Sequence, residues 1–320
     1  VIYIGGKQYM DGQIENLGTI AEFIIYVNML TWPVASIGWV TSLIQEAEAS
    51  QKRINEFLKQ TPDIINTTEL ESKIEGTITF KNVHFTYEDT NIEALKGISF
   101  EVQKGQTLAI IGNTGSGKST ILELIGRLYD VQKGQIEVDG QTIQNLNLNS
   151  LRSSVGFVPQ DPFLFSDSLR NNIKFGKNKA SDDEVVEASK MAVVHDNITN
   201  FKNGYDTVLG ERGITLSGGQ KQRISIARAF IKNPQILLLD DCLSAVDTET
   251  EEQILNNIEL VTKGKTTIIV SHRISSAKNA DIIVVLNNGI ITQQGSHVQL
   301  INVEGYYKEL YQNQLREISS

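Results

Sequence analysis

The sequence predicts an α/β fold, in which apolar strands alternate with helices, preceded by one long apolar helix. Two observations support this prediction. From Glu75 onward, apolar runs rich in β-branched residues alternate with amphipathic stretches, as expected for parallel strands covered on both faces. Ahead of that region, residues 23–45 contain no charged side chain and are mostly apolar, which is roughly the length of a helix that crosses a hydrocarbon core.

The first 60 residues are predicted to hold this helix and its flanks. Residues 1–4 are apolar, and we interpret them as the end of an element that begins upstream, whereas residues 5–18, with Asp11 and Glu15, are predicted to form a loop. Four residues interrupt the apolar stretch of about residues 19–45 and suit a helix packed among other helices: Asn28, Pro33, Ser36 and Gly38. The buried helix of a soluble protein is the alternative.

The same helical pattern continues through residues 46–60, where the side chains become strongly charged. Pro62 is expected to end the helix. Lys52, Arg53 and Lys59 lie on this side of the apolar stretch, and the acidic residues of the predicted loop lie on the other side. Because basic residues flank membrane helices on the cytoplasmic side, we expect the rest of the chain to lie in the cytoplasm.

Strands and helices are predicted in alternation after Glu75. Alternating apolar and polar residues indicate half-exposed strands at residues 78–87 and 98–102. Apolar runs predict further strands at residues 107–111, 135–138, 155–158, 235–239, 266–270 and 281–286. Residues 166–200 carry helical patterns, which we interpret as a helical insertion, and residues 305–315 are predicted to form a terminal helix.

A glycine-rich loop joins the strand at residues 107–111 to a helical pattern at residues 119–128. It reads GNTGSGKST and fits the phosphate-binding sequence G-x-x-x-x-G-K-[ST] in the strand–loop–helix setting that this motif requires. Its glycines let the backbone N–H groups turn inward at the helix N-terminus, which creates an anion site. Lys118 can then reach the β- and γ-phosphates, and the Ser119 hydroxyl can bind Mg²⁺. A chance glycine-rich turn is the alternative. We predict nucleotide contacts along the whole loop: Gly112, Asn113, Thr114, Gly115, Ser116, Gly117, Lys118, Ser119 and Thr120.

An apolar strand that ends in two carboxylates, ILLLDD at residues 236–241, is the usual companion of such a loop. Asp240 is predicted to hold Mg²⁺ directly or through water. Asp241 follows at a place where a carboxylate could orient or deprotonate an attacking water. A strand-end turn with solvated charges is the alternative for this pair.

The segment LSGGQ, at residues 216–220, precedes an amphipathic helix. Ser217, Gly218 and Gly219 at a helix start form a second potential anion site. A simple serine cap is the alternative. The full pentapeptide upstream of the ILLLDD strand favours the anion site.

Composition limits the class of partner. The chain has 320 residues, a formal net charge of −9 and no basic run, which argues against a nucleic-acid partner. The single cysteine, Cys242, excludes an intrachain disulfide and fits a reducing compartment. We interpret it as a small buried hydrophobic residue.

Five segments, in this order, resemble the nucleotide-binding domain of an ABC transporter: GNTGSGKST, LSGGQ, ILLLDD, SAVD at residues 244–247 and VSHRIS at residues 270–275. The resemblance covers residues 75–320 and implies a P-loop ATPase domain with a helical subdomain at about residues 161–231 and an antiparallel β subdomain. Residues 1–61 resemble the end of the transmembrane domain of an exporter-type half-transporter, with its last membrane helix at about residues 19–45 and a cytoplasmic extension. Residues 62–74 are then the linker, and the earlier membrane helices would precede this chain.

The resemblance also implies roles for single residues. Tyr87 resembles the aromatic residue that stacks on adenine, Gln160 the glutamine that touches Mg²⁺ and the attacking water, and His272 the histidine that contacts the γ-phosphate. Taken singly, they would be a core aromatic, a surface amide and a satisfied core histidine. Residues 209–213, LGERG, resemble an exporter segment that contacts intracellular loops. Further residues are implied to serve the ATP of a second subunit or the dimer interface: Ser217, Gly218, Gly219, Gln220 and Asp247.

Asp241 departs from the family pattern, because most members have glutamate at this position. Glutamate reaches about one methylene further, and a displacement near 1 Å can cost on the order of a hundredfold in rate. Either this site hydrolyses ATP slowly and acts as an ATP-held clamp, or the backbone shifts to compensate. In some heterodimeric exporters one subunit carries this aspartate, and its intact LSGGQ completes the fast site of the other subunit. We favour a heterodimer, although the sequence equally permits a homodimer.

The resemblance therefore implies an ATP-driven exporter in the cytoplasmic membrane that uses ATP and Mg²⁺. The expected partners are a second half-transporter, the preceding membrane helices of the same polypeptide and the lipid bilayer, without nucleic acid. One alternative is a regulatory ATP site in a heterodimeric exporter. Another is a soluble ABC ATPase that acts on nucleic acid or ribosomes, which the acidic charge and the apolar helix argue against.

Overall fold

The structure, a computed structural model, describes residues 1–210 and 216–319, with side chains as far as residue 316. Its contacts divide the chain into two compact units, Val1–Asp63 and Ile64–Ser320. The first unit consists of two helices, α1 (Ile2–Met10) and α2 (Leu17–Leu58).

Helix α1 contradicts part of the predicted loop at residues 5–18, since residues 5–10 are helical. One of the glycines that suggested a loop, Gly5, lies where the two helices meet. A Cβ atom added at Gly5 would lie only 3.2 Å from Ile20 Cγ1 of α2, so the absence of a side chain allows the close contact. The loop proper is shorter and ends at Asn16, whose Oδ1 accepts a hydrogen bond from the Gly18 N–H at 2.9 Å and caps α2.

Helix α2 runs for 42 residues through the apolar stretch and the charged stretch, as predicted. Pro33 lies inside it and does not end it. By length and composition this helix could cross a membrane, and no residue of its most apolar window is buried within the structure. It ends at Leu58, ahead of Pro62.

The second unit contains an antiparallel sheet in the order β2-β1-β4-β5. Its strands are β1 (Ile78–Tyr87), β2 (Ile92–Val102), β4 (Lys133–Val138) and β5 (Gln141–Thr142). Strand β2 is six residues longer than the predicted strand at residues 98–102, because β1 and β2 form one hairpin in which Tyr87 pairs with Ile92. Phe80 and Phe100 stack across the hairpin with ring centroids 4.4 Å apart.

The second sheet is mainly parallel and has the order β10-β9-β3-β8-β7-β6. Its strands are β3 (Thr107–Gly112), β6 (Val155–Val158), β7 (Ile236–Asp240), β8 (Thr266–Val270), β9 (Ile282–Asn287) and β10 (Ile290–Gly295). The antiparallel edge strand β10 was not predicted, because its sequence IITQQG carries little apolar signal. Buried strands β3, β7 and β8 lie side by side and end at the same edge of the sheet.

Helices surround these sheets. They are α3 (Lys118–Ile125), α4 (Leu148–Ser154), α5 (Leu169–Lys174), α6 (Asp182–Met191), α7 (His195–Thr199), α8 (Gly218–Ile231), α9 (Thr248–Val261), α10 (His297–Ile301) and α11 (Tyr306–Ser319), with two 3-10 turns at Ile143–Asn145 and Gly204–Asp206. Helices α5, α6 and α7 form the helical region predicted at residues 166–200. They share one apolar cluster with α8 and with β7. Cys242 is buried in this cluster, as predicted.

Gly176, two residues beyond the end of α5, lies against the backbone of α8. A Cβ atom at this position would lie 2.0 Å from the carbonyl oxygen of Arg228, so one of the helices must shift. We predict that Gly176→Ala destabilises the second unit by about 1–3 kcal/mol, the usual cost of overpacking. In a thermal unfolding experiment on the intact protein, its melting temperature should fall by several degrees, since each kcal/mol shifts a domain of this size by roughly 2–4 °C.

Gly126 provides the matched control, because it also follows a helix and its added Cβ would meet nothing closer than 3.6 Å. Its φ of −72° suits alanine. Gly126→Ala should leave the melting temperature unchanged or slightly raised. Equal melting temperatures for the two variants would show that α5 and α8 are not in tight contact at Gly176.

Candidate functional site

The N-terminus of α3 begins the candidate site. Helices α4, α5, α6, α8, α9 and α10 each start at a residue whose side chain accepts a hydrogen bond from the first turn. Helix α3 starts instead at Gly117, which has a φ of 99° and no side chain to donate or accept. The first N–H groups of α3 therefore lack the side-chain acceptor found at those helices and are free to bind an anion.

Lys118 is the first residue of α3, and only 6% of it is exposed. Its Nζ donates to the carbonyl oxygens of Gly112, at 2.9 Å, and Asn113, at 2.8 Å. An ammonium group has three donors, so one is left for a further acceptor. Burial lowers the pKa of Lys118, and the carboxylates of Asp241 and Asp240 oppose this shift. A bound anion would compensate the lost hydration.

The open side of α3 faces a cleft of about 540 Å³. The cleft is lined by residues from the glycine-rich loop, from the antiparallel sheet and from the shared edge of the parallel sheet: Tyr87, Ile92, Glu93, Ala94, Lys96, Thr114, Gly115, Gly117, Lys118, Ser119, Thr120, Gln160, Asp240, Asp241, Val270, His272, Asn288 and Gly289. The structure thus brings together most of the predicted loop, both aspartates, Gln160, Tyr87 and His272.

Three residues of the predicted loop do not line the cleft, namely Gly112, Asn113 and Ser116. Gly112 is pressed against β9, where an added Cβ would lie 2.1 Å from the Leu286 carbonyl oxygen. Ser116 is buried, and its hydroxyl has no hydrogen-bond partner among the described residues. Gly112 and Ser116 are therefore buried beneath the loop, away from the cleft. Any contact that they make with a nucleotide stays a prediction.

Asp240 is the last residue of β7, and Asp241 follows it. Burial raises the pKa of Asp240, the Ser119 hydroxyl lowers it, and the neighbouring Asp241 carboxylate raises it further. The Asp241 N–H donates to the Val270 carbonyl at 2.9 Å, which ties the end of β7 to the end of β8. The φ of Asp241 is 43°, a region that aspartate occupies more often than most residues.

His272 lies two residues beyond β8 and lines the same cleft. Its pKa is lowered by burial and by the nearby Lys118 cation, while Asp241 and Asp240 act in the opposite direction. The imidazole is therefore neutral at pH 7. Its N–H can donate a hydrogen bond to an anion without adding a second positive charge beside Lys118.

Tyr87 closes the other side of the cleft. Its hydroxyl lies 2.9 Å from Thr120 Oγ1 and donates to Glu123 Oε2 at 2.7 Å. Its ring meets the ring of Tyr129 edge-on, with centroids 5.4 Å apart. Glu123 was not singled out in the sequence. A lone carboxylate in the apolar run ILELI was the signal that could have identified it.

The LSGGQ residues and Asp247 lie outside this cleft. Ser217 caps α8, because its Oγ accepts from the Gln220 N–H at 3.3 Å and Gln220 Oε1 accepts from the Ser217 N–H at 3.0 Å. Gly219 packs against the next motif, since an added Cβ would lie 2.8 Å from the Ala245 carbonyl oxygen. Asp247 in turn caps α9.

The cap that was the alternative explanation for Ser217 is therefore present. It does not occupy the whole helix start, which remains exposed at Ser217 and Gly218. The LGERG segment falls partly on residues 211–215, so that prediction lies outside the described residues.

The arrangement suits a polyphosphate with a divalent cation. Uncapped N–H groups and a buried ammonium group attract an anion. Oxygen atoms of Ser119, Gln160 and Asp240 line the same cleft and are the ligand type that Mg²⁺ prefers. Among the described residues no group of three or more His, Cys, Asp or Glu side chains could hold a metal alone.

Comparisons with known proteins identify similar sequences and a similar structure. The sequence family described as ABC transporter matches residues 95–244. The chain is 43% identical over 316 residues to an uncharacterized ABC transporter ATP-binding protein, YknU, of Bacillus subtilis. This alignment covers 98% of the chain and 54% of the relative. It is also 41% identical over 319 residues to an ATP-dependent lipid A-core flippase of Syntrophus aciditrophicus. That alignment covers 99% of the chain and 53% of the relative.

A solved structure of a bacterial Atm1-family ABC exporter with ATP bound superimposes with a TM-score of 0.82 at 40% sequence identity. The match covers 91% of this chain and 51% of that chain. The chain thus spans about half the length of the curated relatives that it matches.

Proposed function

Since this chain belongs to the ABC transporter family, we propose that it is the ATP-binding and ATP-hydrolysing part of an exporter subunit in the cytoplasmic membrane. One observation carries the proposal: the uncapped start of α3 and Lys118 share a single cleft with Asp240, Asp241 and His272. As domain boundaries we propose residues 1–61 for the membrane part, 62–74 for the linker and 75–320 for the cassette.

ATP is held by two ends of the cleft. The N–H groups at the start of α3 bind the phosphates, and Lys118 donates its third N–H to the β- and γ-phosphate oxygens. Tyr87 stacks on adenine, an interaction worth about 1–3 kcal/mol. The hydrogen bond from Tyr87 to Glu123 fixes the ring for this contact.

Ser119, Asp240 and Gln160 would hold Mg²⁺, which supplies charge neutralisation for the phosphates when bound. The raised pKa of Asp240 supports this assignment, because a cation is the natural compensation for a buried carboxylate beside a second one. Asp241 orients the attacking water, and neutral His272 donates a hydrogen bond to the γ-phosphate as its charge changes.

The LSGGQ surface serves a second subunit. Ser217, Gly218, Gly219 and Gln220 lie outside the cleft, so within one chain they cannot complete its binding site. In a dimer, each ATP would be bound between the cleft of one subunit and the LSGGQ of the other, with Asp247 at the interface. Closure of this dimer would move the membrane helices, to which α2 contributes one, and hydrolysis would reset them.

A regulatory role is the second candidate, and Asp241 is the observation that favours it. Its side chain is one methylene shorter than the glutamate usual in the family, so its carboxylate would lie further from the attacking water. The site would then hold ATP as a clamp and turn over slowly. A phosphate-release assay on the intact transporter separates the two functions.

Substitutions at Lys118 and His272 should separate binding from turnover. Lys118→Ala is predicted to weaken ATP binding roughly 10- to 100-fold, as expected for the loss of about 1.5–3 kcal/mol from a charged hydrogen bond. His272→Ala is predicted to retain ATP binding and to lose roughly 100-fold or more in kcat, because its contact matters most in the transition state. Binding of a fluorescent ATP analogue and phosphate release measure the two quantities on the intact transporter.

Lys104→Ala is the control. It removes the same charge, but from a half-exposed lysine that lies outside the cleft. It should match the wild type in both assays. Unchanged ATP binding in Lys118→Ala, or unchanged turnover in His272→Ala, would refute the corresponding role.

Asp241→Glu should raise the ATPase rate by about tenfold if the short carboxylate limits hydrolysis, because it restores the reach of the side chain. The positive φ of Asp241 suits glutamate less well, so the melting temperature should not rise with the rate. Asp241→Asn, which keeps the shape and removes the charge, should lower the rate. If Asp241→Glu hydrolyses ATP at the wild-type rate, the aspartate is already well placed and the regulatory role loses its support.

A heterodimer is our proposal for the assembly. Expressed in full length without any partner gene, the subunit should fail to form a stable and active dimer in size-exclusion chromatography with light scattering. The positive control is co-expression with an adjacent half-transporter gene whose product has glutamate at the position of Asp241. A stable homodimer with ATPase activity from the subunit alone would contradict the heterodimer.

A further inference from the structure

The segment that follows β8 and carries His272 is held by hydrogen bonds on two sides. On one side, the buried carboxylate of Glu251 in α9 accepts hydrogen bonds from Arg273, from Ser275 at 2.8 Å and from Ser276 at 2.9 Å. Only 2% of Glu251 is exposed. These hydrogen bonds hold side chains that follow His272. The backbone of His272 itself bonds to a different residue.

That partner is Gln314, in the C-terminal helix α11. Its Nε2 donates to the His272 carbonyl oxygen at 2.8 Å, and its Oε1 accepts from the Ile274 N–H at 2.8 Å. A single amide group thus bonds both a C=O and an N–H two residues apart, as a neighbouring β-strand would. The two bonds fix the orientation of the peptide groups on either side of Arg273 and, through them, the direction of the His272 side chain.

Helix α11 is firm enough to serve as the support. Tyr307 in its first turn is fully buried, and its hydroxyl lies 2.8 Å from His297 Nδ1. The Tyr307 N–H donates to Gln293 Oε1 at 3.1 Å. Ile274 and Tyr307 belong to one apolar cluster with Ile111, the residue before Gly112 at the start of the glycine-rich loop. The same core therefore connects α11 to both the His272 segment and the phosphate loop.

We propose that Gln314 is a positioning residue for His272, and that the C-terminal helix is thereby part of the catalytic apparatus. The inference rests on the proposed ATPase function of the cleft. Gln314 itself does not line the cleft. It holds the backbone of His272 so that the neutral imidazole meets the γ-phosphate at hydrogen-bond distance. No motif of the sequence includes Gln314.

Two variants of the intact transporter test this role. Gln314→Ala removes both hydrogen bonds. Gln314→Glu keeps the size of the side chain and an acceptor for the Ile274 N–H, but turns an acceptor toward the His272 carbonyl oxygen. Both should lower kcat by about tenfold or more, because small displacements of a catalytic group are costly. ATP affinity should stay within about twofold of the wild type, since Lys118 and the start of α3 are untouched.

Gln312 gives the matched controls, because it is exposed on the same helix two residues earlier. Gln312→Ala and Gln312→Glu should match the wild type in kcat and in binding of a fluorescent ATP analogue. Hydrogen exchange, followed by mass spectrometry on nucleotide-free protein, adds a readout independent of turnover. Peptides that contain Ile274 should exchange faster in Gln314→Ala than in Gln312→Ala, because its amide has lost its acceptor.

The outcomes distinguish this inference from the function on which it rests. If the wild type hydrolyses ATP and both Gln314 variants keep its kcat, the positioning role is overturned and the function stands. If the Gln314 variants lose ATP affinity together with kcat, Gln314 supports the fold in general and the role is again overturned. If the wild type lacks ATPase activity, the proposed function fails. Faster exchange at Ile274 would then still support the hold on the backbone, and unchanged exchange would overturn it. Should Gln314→Ala fail to fold, Gln314→Glu carries the kinetic test, because it keeps the side-chain volume.

Discussion

An incomplete set of hydrogen bonds at the start of α3 is the constraint on which the candidate site depends. The fold buries Lys118 at this helix start, yet gives the first turn no side-chain cap. Buried polar groups without partners cost free energy. An anion bound in the cleft would supply the missing acceptors and so remove this cost. At α4, α5, α6, α9 and α10 a serine, asparagine or aspartate side chain supplies such an acceptor from within the chain.

The parallel sheet converts this local affinity into a site for chemistry. Strands β3, β7 and β8 are adjacent, and their ends deliver the loop, the aspartate pair and His272 to one edge. Hydrogen bonds across that edge, from the Asp241 N–H to Val270 and from the Ser271 N–H to Ile110, hold the three ends in register. The positions of the charged groups therefore follow from strand pairing in the core. Ligand contacts need only adjust the side chains.

The sequence predicted the parts of this site that are local. The glycine-rich loop, the ILLLDD strand end and the serine at the start of α8 each carry their structural setting in a few consecutive residues, so pattern reasoning could place them. Glu251 and Gln314 could not be found in this way, because their partners lie 22 to 25 and 40 to 42 residues away. For Glu123 the isolated carboxylate in ILELI was a signal, but its partner Tyr87 lies 36 residues away and no local pattern names it. Helix α1 was mistaken for loop for a related reason: Gly5 permits a helix contact that only the position of Ile20 reveals. Strand β10 escaped because pairing with β9, more than its own composition, makes it a strand.

The position of the LSGGQ residues bears on how the proposed function would be regulated. Ser217 and Gln220 cap one another, and Gly219 lies against Ala245, so the LSGGQ surface packs directly on the segment that leads to Asp247. Gln222, in the same helix, accepts from the Ala245 N–H at 3.3 Å and strengthens that connection. The residues after Asp247 form α9, whose Glu251 holds the segment after His272. A second subunit that docks on LSGGQ would thus press on a surface connected, through α9, to the histidine of this subunit's own cleft. In such an arrangement, occupancy of one ATP site would be felt at the other through packed helices and hydrogen bonds of this chain, which is how an unequal pair of sites could share a single transport cycle.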